Sequence, residues 1–359
     1  MTELHLRGDL RTALSHMTMI GLAAILEDAR VGDVRVAWSR ELDARPLLWT
    51  DGVDLDAAAE IVRDHARRGA AADSWVTASI DLGDGPVGTM SPRMKKPADP
   101  SAWQLLTDHR AGLIDSLTDA RSRLDLRFVG ALGAPSYWHF ATWGGSARRD
   151  PRPDWGASKW EMKTRNRGEE FVRNRLRPMA ESVASRDAKS IRQGLDGTIT
   201  LDLTGKNERG SRTATGLAST GPTDDAAAWC GLWAISQFPV IPLVTAQSRT
   251  AGHLRVPGMA QSRGWFYLPM AHSPMTMPRL RSVILSSELE RVVRKRVADD
   301  RGAPTDLEAG VARDWLRDRH VSGVAYFPVW ASDNVNAPEL RALDGTVIPL
   351  EAGPDDRPF

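Results

Sequence analysis

The segment LRTALSHMTMIGLAAILEDAR, residues 10–30, repeats apolar or small side chains at the spacing of one helical face. The residues at this spacing are Leu10, Leu14, Met17, Gly21, Ala24 and Ile25. Asp9 stands directly before the segment, and its carboxylate can accept hydrogen bonds from the unpaired N–H groups of a first helical turn. We therefore predict a core helix that begins at an Asp9 cap.

Shorter apolar runs along the rest of the chain show both strand and helix patterns. Strands are predicted at 34–38, 46–50, 74–82, 124–138 (leading into a loop), 196–203, 240–246, 264–268 and 324–330. Helices are predicted near 54–68, over a segment that carries Trp103 and Leu117, and at 158–185, 223–238, 278 onwards and 304–319. These patterns are typical of an α+β protein with two packed lobes, in which helices cover mixed or antiparallel sheets.

The length of 359 residues exceeds the size at which a single hydrophobic core usually stops growing. We place an N-terminal α+β lobe at residues 1–140 and a C-terminal α+β lobe at residues 223–359. Between them, residues 141–222 form a basic helix and polar loop region. Such an organisation favours a chain that folds by itself.

Composition excludes several classes of protein. Cys230 is the single cysteine, so the chain forms no internal disulfide and has no cysteine-rich zinc site. The longest apolar stretch is interrupted by Gln237, Pro239 and Pro242, so we expect no membrane span and no membrane partner. The first ten residues are charged where a secretory signal needs an apolar run. We expect a soluble, cytoplasmic protein without a cofactor.

Charge is distributed unevenly, although the formal net charge is only +1. Residues 41–90 contain four Lys/Arg and ten Asp/Glu, a net charge of −6, whereas residues 144–215 contain sixteen and ten, a net charge of +6. Clustered cations can neutralise phosphates and release counterions, and indole rings among them can stack on unpaired bases. The middle of the chain is therefore the candidate nucleic-acid interface.

Two segments make up this candidate interface. The first has the candidate contact residues Arg148, Arg149, Arg152, Lys159, Trp160, Lys163, Arg165, Asn166, Arg167, Arg173 and Arg175, with Trp143 and Trp155 among them. The second is a Gly/Thr/Ser loop before a helix start, where backbone N–H groups can meet phosphate, and it contributes Lys206, Asn207, Arg209 and Arg212. The alternative for the first segment is a solvated helix face whose arginines pair with Glu161, Glu169, Glu170 and Glu181.

One enzymatic pattern competes with this interpretation. Asp154, Glu161 and Lys163 match a metal-dependent nuclease, with two carboxylates for a divalent cation and a lysine for the attacking water. However, Glu161 and Lys163 lie in a predicted helix, where residues two apart point in different directions. The Gly-rich stretch 83–88 matches a dinucleotide fingerprint, but Pro86 prevents the helix that would bind pyrophosphate. We predict a hairpin or loop there, and no complete catalytic site in the chain.

Several sequence blocks, taken in order, are similar to those of a known family. The blocks are HMTMIGLAAILEDAR (16–30), SKWEMKTRNRGEEFVRNRL (158–176), SRTATGLASTGPTDDAAAWCGLWAISQFPVIP (211–242), SRTAGHL (248–254) and FYLPMAHSPMTMPRLRSVI (266–284). Over about residues 10–285, this order resembles the small large-subunit proteins of type I CRISPR surveillance complexes (Cascade), particularly those of subtype I-G, formerly I-U.

The resemblance implies a non-catalytic subunit at one end of an RNA-guided complex. Such a subunit reads a short motif beside the target, holds the opened strands and helps to recruit the helicase-nuclease, while the guide pairs with the target. The implied partners are guide RNA, target DNA, other Cascade subunits and the helicase-nuclease. From the residues alone, two alternatives stay open: the metal-dependent nuclease, and a structural protein–protein adaptor with all of its tryptophans in the core.

Overall fold

The computed structural model of the chain describes residues 1–83, 85–94, 97, 99–119, 122–135, 156–162, 171–205, 208–210, 213–241, 248–255, 264–299, 307–333 and 339–350. Within them the chain has the predicted α+β fold, with antiparallel sheets and covering helices. One cluster of buried apolar side chains extends from Leu4 to Leu350. The N-terminal and C-terminal parts of the described chain therefore share a core.

Helices carry most of this core. Their bounds are α1 Ala13–Asp28, α2 Leu55–Ala70, α3 Pro100–Ser116, α4 Arg123–Leu132, α5 Arg177–Ala184, α6 Ala188–Asp196, α7 Asp225–Trp233, α8 Met277–Ile284, α9 Ser287–Asp299 and α10 Leu307–Arg317. A π-helical turn, Val172–Leu176, leads into α5, and a 3-10 turn, Ala234–Gln237, extends α7. Carboxylates accept backbone N–H bonds at the starts of α2, α3, α6 and α7, from Asp54, Asp99, Asp187 and Asp224. In the described part of the chain, no helix has the length and apolar character to cross a membrane.

The described strands form two main antiparallel sheets and two short pairs. Their bounds are β1 Thr2–His5, β2 Arg35–Trp38, β3 Pro46–Thr50, β4 Ser79–Asp81, β5 Pro86–Gly88, β6 Val240–Ile241, β7 Arg249–Thr250, β8 His253–Leu254, β9 Trp265–Met270, β10 Met275–Thr276, β11 Gly323–Ala331, β12 Leu340–Ala342 and β13 Thr346–Pro349. The first sheet has the order β1-β3-β2-β10. The second has the order β12-β11-β9-β8, with β13 also paired to β11. Strand β10 thus completes a sheet that begins at the amino-terminal end of the chain.

Helix α1 lies between the two main sheets. The ring of His16 has Trp38 of β2 at a centroid distance of 4.4 Å and Phe327 of β11 at 5.4 Å. All residues at positions 13–26 are buried, so the helix is enclosed on every side and not only on its apolar face. Burial lowers the pKa of His16 to about 4, which leaves this side chain neutral at neutral pH.

Helices α1 and α7 pack with their backbones in contact. A Cβ atom added at Gly21 would lie 1.7 Å from the carbonyl oxygen of Cys230 and 2.8 Å from the backbone nitrogen of Ala234. One turn earlier, the Thr18 hydroxyl donates to the Ala227 carbonyl at 2.9 Å. Position 21 requires glycine because no side chain fits between the two backbones.

The start of α1 differs from the prediction. Asp9 accepts the backbone N–H of Arg11 at 2.7 Å and closes a turn before the helix. The helix itself begins at Ala13, and Thr12 precedes it without a side-chain cap bond. Asp9 therefore orders the approach to α1 and does not cap it.

Two predicted strands are wrong. Helix α4 replaces most of the strand predicted over 124–138, and its residues Leu124, Phe128 and Leu132 are buried at helical spacing. Residues 198–203 join no strand ladder. Two of their N–H groups, on Leu201 and Leu203, are instead bound by the Asp224 and Asp225 carboxylates at the start of α7.

Two further predictions can be compared with the structure. Residues 86–88 of the Gly-rich stretch form β5, which pairs with β4 in a hairpin, so the predicted hairpin or loop is confirmed. The helix predicted over 158–185 is wrong at its start, because residues 158–162 form a turn. Its last part is helical and ends at Ala184, which closes α5.

Replacement of Gly21 by alanine tests the contact between α1 and α7. The added Cβ would collide with backbone atoms that cannot rotate away, so we expect G21A to lower the free energy of unfolding by about 3 kcal/mol or more. Gly112 in α3 has no atom within 4 Å of such a Cβ, so G112A should raise the same quantity by about 0.5–1 kcal/mol. Urea unfolding measures both variants, and similar effects of the two would contradict the close contact.

Candidate nucleic-acid interface

The turn at residues 158–162 lies in the middle of the predicted interface and is held from two sides by hydrogen bonds. The Ser158 N–H donates to the Leu132 carbonyl at 2.9 Å, at the end of α4. The indole N–H of Trp160 donates to the Ala251 carbonyl at 2.9 Å, just after β7. The turn therefore connects α4 to the β7–β8 region.

Trp160 is fully buried between two other aromatic rings. Its ring centroid lies 3.9 Å from that of Phe266, with an angle of 24° between the planes, and 4.8 Å from that of Phe238. Its exposed fraction is 0%. An enclosed ring cannot stack on a base, so the predicted nucleic-acid contact of Trp160 is wrong.

Glu161 forms a buried ion pair with Arg93. The Arg93 Nε atom lies 3.1 Å from Glu161 Oε2, and Nη2 of the same arginine donates to the Ser158 carbonyl at 2.8 Å. Burial disfavours the charged carboxylate more strongly than Arg93 favours it, and raises the pKa of Glu161 to about 7. The pair therefore fixes the turn from inside the protein, out of reach of solvent.

Arg175 joins this turn to a second loop. Its Nη1 atom donates to the Glu161 carbonyl at 2.5 Å and to the Thr215 carbonyl at 2.7 Å. Arg175 lies in the π-helical turn before α5, a helical irregularity that is frequent at functional sites. Because its guanidinium is buried and bound to carbonyls, Arg175 positions the backbone, and its predicted contact with nucleic acid is wrong.

The 213–222 loop closes directly on the 158–162 turn. A Cβ atom at Gly216, where φ is +75°, would lie 3.0 Å from the Cβ atom of Met162. Met162 itself has a φ of 50°, a conformation that costs energy for a residue with a side chain. Such a conformation persists only where the surrounding contacts impose it, which indicates a rigid junction.

These contacts bring together the ends of the basic segments. Residues that flank segment 136–155 are hydrogen-bonded to each other, since the Ala134 N–H donates to the Gly156 carbonyl at 3.2 Å. Segment 163–170 lies in sequence between the 158–162 turn and the π-helical turn that Arg175 links to it. Loop 206–212 ends just before the loop that Arg175 also binds. We call the 158–162 turn, with Arg93 and Arg175, the common base of these segments.

Three candidate contact residues in the described part of the chain reach solvent. Arg173 and Arg209 are exposed, and Lys159 is partly exposed. Arg173 also donates to the Pro86 carbonyl of the β4–β5 hairpin. Ten other candidates lie outside the described residues: Arg148, Arg149, Arg152, Lys163, Arg165, Asn166, Arg167, Lys206, Asn207 and Arg212.

The nuclease alternative needs an accessible carboxylate at position 161. The Glu161 side chain is buried and paired with Arg93, so it does not provide one. Asp154 and Lys163 lie outside the described residues. Among the residues that the structure describes, no group of three or more His, Cys, Asp or Glu side chains is placed to hold a metal ion. The burial of Trp160 matches the adaptor alternative, while Trp143 and Trp155 lie outside the described residues.

Sequence reasoning missed Arg93 and the Thr215 carbonyl. Arg93 lies in a stretch rich in Pro and Lys, 68 residues before its partner Glu161. A pairing over this separation leaves no trace in local periodicity.

Glutamine at position 161 tests the ionisation of the buried pair. The fold raises the pKa of Glu161 from 4.5 to about 7, so the unfolded chain releases this proton first as the pH rises. The ionisation of Glu161 therefore lowers the free energy of unfolding of the wild type as the pH rises from 4.5 to 7. E161Q has no ionisable group at this position, so its free energy of unfolding lacks this decrease. We expect the free energy of unfolding of E161Q, relative to the wild type, to increase by about 3 kcal/mol from pH 4.5 to pH 7.5.

Chemical denaturation at a series of pH values measures this difference. The control is E181Q, because Glu181 forms only a half-exposed surface pair with Arg177 and such pairs contribute about 0–1 kcal/mol. A constant difference between E161Q and the wild type over this range would show that burial does not shift the ionisation of Glu161.

Comparison with known proteins gives no relative of this chain: no protein-family model, no curated protein and no solved structure matches it. The support for a function therefore comes from the chain's own residues and from the order of its sequence blocks.

Proposed function

We propose that this chain is a nucleic-acid-binding subunit of an RNA-guided CRISPR surveillance (Cascade) complex, without catalytic activity of its own. The observation that carries the proposal is the common base, where Arg93 and Arg175 hold the ends of the basic segments together. The order of the sequence blocks, which resembles that of the small Cascade large subunits, supports the same assignment.

A rigid base that joins residues flanking the charged segments suits the binding of a polyanion. Cations on the segments neutralise phosphates and release counterions, which supplies affinity without sequence preference. Because the buried arginines hold the backbone, exposed cations such as Arg209 remain available for phosphate contacts.

In the proposed complex the chain binds guide RNA or target DNA. It contributes to recognition of the motif beside the target, stabilises the R-loop and helps to recruit the helicase-nuclease. Base pairing with the guide supplies most of the sequence specificity, while protein reads the adjacent duplex and the backbone. The acidic stretch 41–90, with a net charge of −6, is then the surface for neighbouring proteins.

A structural protein–protein adaptor is the second candidate. It is favoured by the position of Trp160 in the core and by the pairing of Glu161 with Arg93. The adaptor shares the expectation of protein partners with the first proposal. It differs because it needs no bound nucleic acid.

Purification of the tagged chain from its native host separates these candidates. We expect repeat-derived guide RNA and backbone-forming subunits to co-purify with the chain, identified by RNA sequencing and mass spectrometry. Protein partners without RNA would favour the adaptor. A chain that purified alone and free of nucleic acid would contradict both candidates.

Charge reversal at Arg165 and Arg167 tests the basic region directly. We expect R165E/R167E to weaken binding to single-stranded and duplex oligonucleotides of any sequence, because phosphate contacts are lost. The slope of log affinity against log salt should decrease by about 2, as each phosphate contact contributes about 0.7–0.9. Fluorescence anisotropy over a range of salt concentrations measures both quantities.

The matched control for this experiment is R40E/R45E. Both residues are exposed in the turn between β2 and β3, and the double substitution changes the net charge of the chain by the same amount. We expect it to leave affinity and salt slope nearly unchanged. Equal losses in the two variants would attribute the binding to overall charge instead of the basic region.

A further inference from the structure

The second sheet carries aromatic and cationic side chains together at one end of one face. Trp265 of β9 is opposite Pro328 of β11, and Trp330 of β11 is opposite Arg341 of β12. Opposite residues share a face of the sheet, as do residues two apart along a strand, so all four lie on the same face. Each of them is partly exposed.

The remainder of this face is covered. Tyr267 and Tyr326 are opposite each other and buried, and the Tyr267 hydroxyl donates to Glu290 of α9 at 3.5 Å. On the reverse face, Phe266 and Phe327 lie in the core. Exposure of the first face therefore increases along β11 toward its pairing with β12.

Arg341 lies over the ring of Trp330 and is hydrogen-bonded to the 213–222 loop. Its guanidinium carbon is 4.1 Å from the centroid of the Trp330 ring, and its Nη1 atom donates to the Ser219 carbonyl at 3.2 Å. The next residue, Ala342, donates its N–H to the Gly216 carbonyl at 2.8 Å. The loop that contains Ser219 and Gly216 is the one that Arg175 holds, so the stacked pair is connected to the basic segments.

We propose that this face binds an unpaired nucleotide strand, with bases stacked on the Trp330–Arg341 pair and on Trp265. The proposal rests on the proposed nucleic-acid-binding function and names its ligand as single-stranded. Charge complementarity favours this occupant, because a guanidinium over an indole is both flat and cationic.

The chemistry of such a surface is that of single-strand recognition. Indole rings and guanidinium planes stack on bases that are not paired, and the flanking cations neutralise the phosphates. A base pair inside a duplex presents only its edges to a flat protein surface, so the face discriminates against duplex. The stacking role expected of Trp160 is therefore carried by side chains of the second sheet.

A second arginine–tryptophan stack in the chain provides a matched comparison. The guanidinium carbon of Arg319 lies 3.5 Å from the centroid of the Trp315 ring, and Trp315 is also partly exposed. Trp315 belongs to α10, not to the sheet face, and its carbonyl accepts a hydrogen bond from Arg319. Replacement of Trp315 therefore removes an arginine–tryptophan contact of the same kind outside the proposed surface.

The test compares W330L with W315L. Leucine keeps an apolar side chain and removes the aromatic surface, and binding of fluorescein-labelled oligothymidine to the full chain is followed by anisotropy, with a duplex of equal length alongside. We expect W330L to weaken single-strand binding about 5- to 100-fold, the range for stacking of one base on one ring. The salt slope of W330L should not change, because stacking releases no counterions. W315L should bind as the wild type does.

Each contrary outcome has a distinct meaning. Wild-type affinity in W330L, or equal losses in W330L and W315L, would overturn the sheet surface while the nucleic-acid function stood. Equal losses of single-strand and duplex affinity in W330L would overturn the assignment of an unpaired strand. A wild-type chain that bound neither oligonucleotide would overturn the proposed function together with the surface.

Photocrosslinking of the wild-type chain gives an answer that does not depend on the folding of a variant. Uracil with iodine at position 5 crosslinks under ultraviolet light to aromatic side chains that stack on it. We expect mass spectrometry to find the crosslinks on peptides that contain Trp330 or Trp265. Crosslinks confined to other aromatic residues would overturn the proposal.

Discussion

Two buried arginines, Arg93 and Arg175, hold the middle of this fold, and both donate hydrogen bonds to backbone carbonyls. Arg93 binds the Glu161 carboxylate and the Ser158 carbonyl, while Arg175 binds the Glu161 and Thr215 carbonyls. Desolvation costs several kcal/mol per buried ion, so such a cluster adds little net stability compared with apolar packing of the same volume. A guanidinium does supply several donors in a fixed plane, which sets the relative position of the groups it binds. We infer that the cluster serves to arrange the 158–162 turn and the 213–222 loop.

The arginines of this region are of two kinds: some are buried and stabilise the fold, and others are exposed to solvent. Arg173 is exposed and Arg175 is buried, although they are two residues apart in one π-helical turn. Arg186 is likewise buried in an ion pair with Asp224 at the start of α7. Two of the sixteen cations counted over residues 144–215, Arg175 and Arg186, are therefore enclosed in the protein. The composition of the region therefore counts cations that have a structural role together with cations that reach solvent.

Local signals predicted the type of those elements that have a clear periodicity or apolar run of their own. Helix α1 and strand β11 are examples, because helical spacing and an apolar run bounded by polar residues require no knowledge of partners. Helix α4 was mistaken for a strand because LDLRF alternates apolar and polar residues, whereas its packing against α1 and the 3-10 turn decides its conformation. The contacts of the site were harder to predict than the helices and strands, because they join residues far apart in the sequence. Arg175 and Thr215 are 40 residues apart, and Arg93 and Glu161 are 68 apart. Sequence composition identified a basic region but not which of its arginines would be enclosed.

For the tryptophans, too, the neighbours in sequence do not indicate which side chains are buried. Trp160 stands among arginines in the sequence, yet Phe238 and Phe266 enclose it. Trp330 stands in an apolar strand, yet it is partly exposed beneath Arg341, because alternate residues of β11 face opposite sides and the cover over one side ends before position 328. Charge and aromatic surface are thus supplied by separate parts of the chain. The 213–222 loop connects them, since Arg175 binds one of its carbonyls and Arg341 binds another. The contacts of this loop with Arg175 and Arg341 therefore fix the 158–162 turn relative to the end of the second sheet.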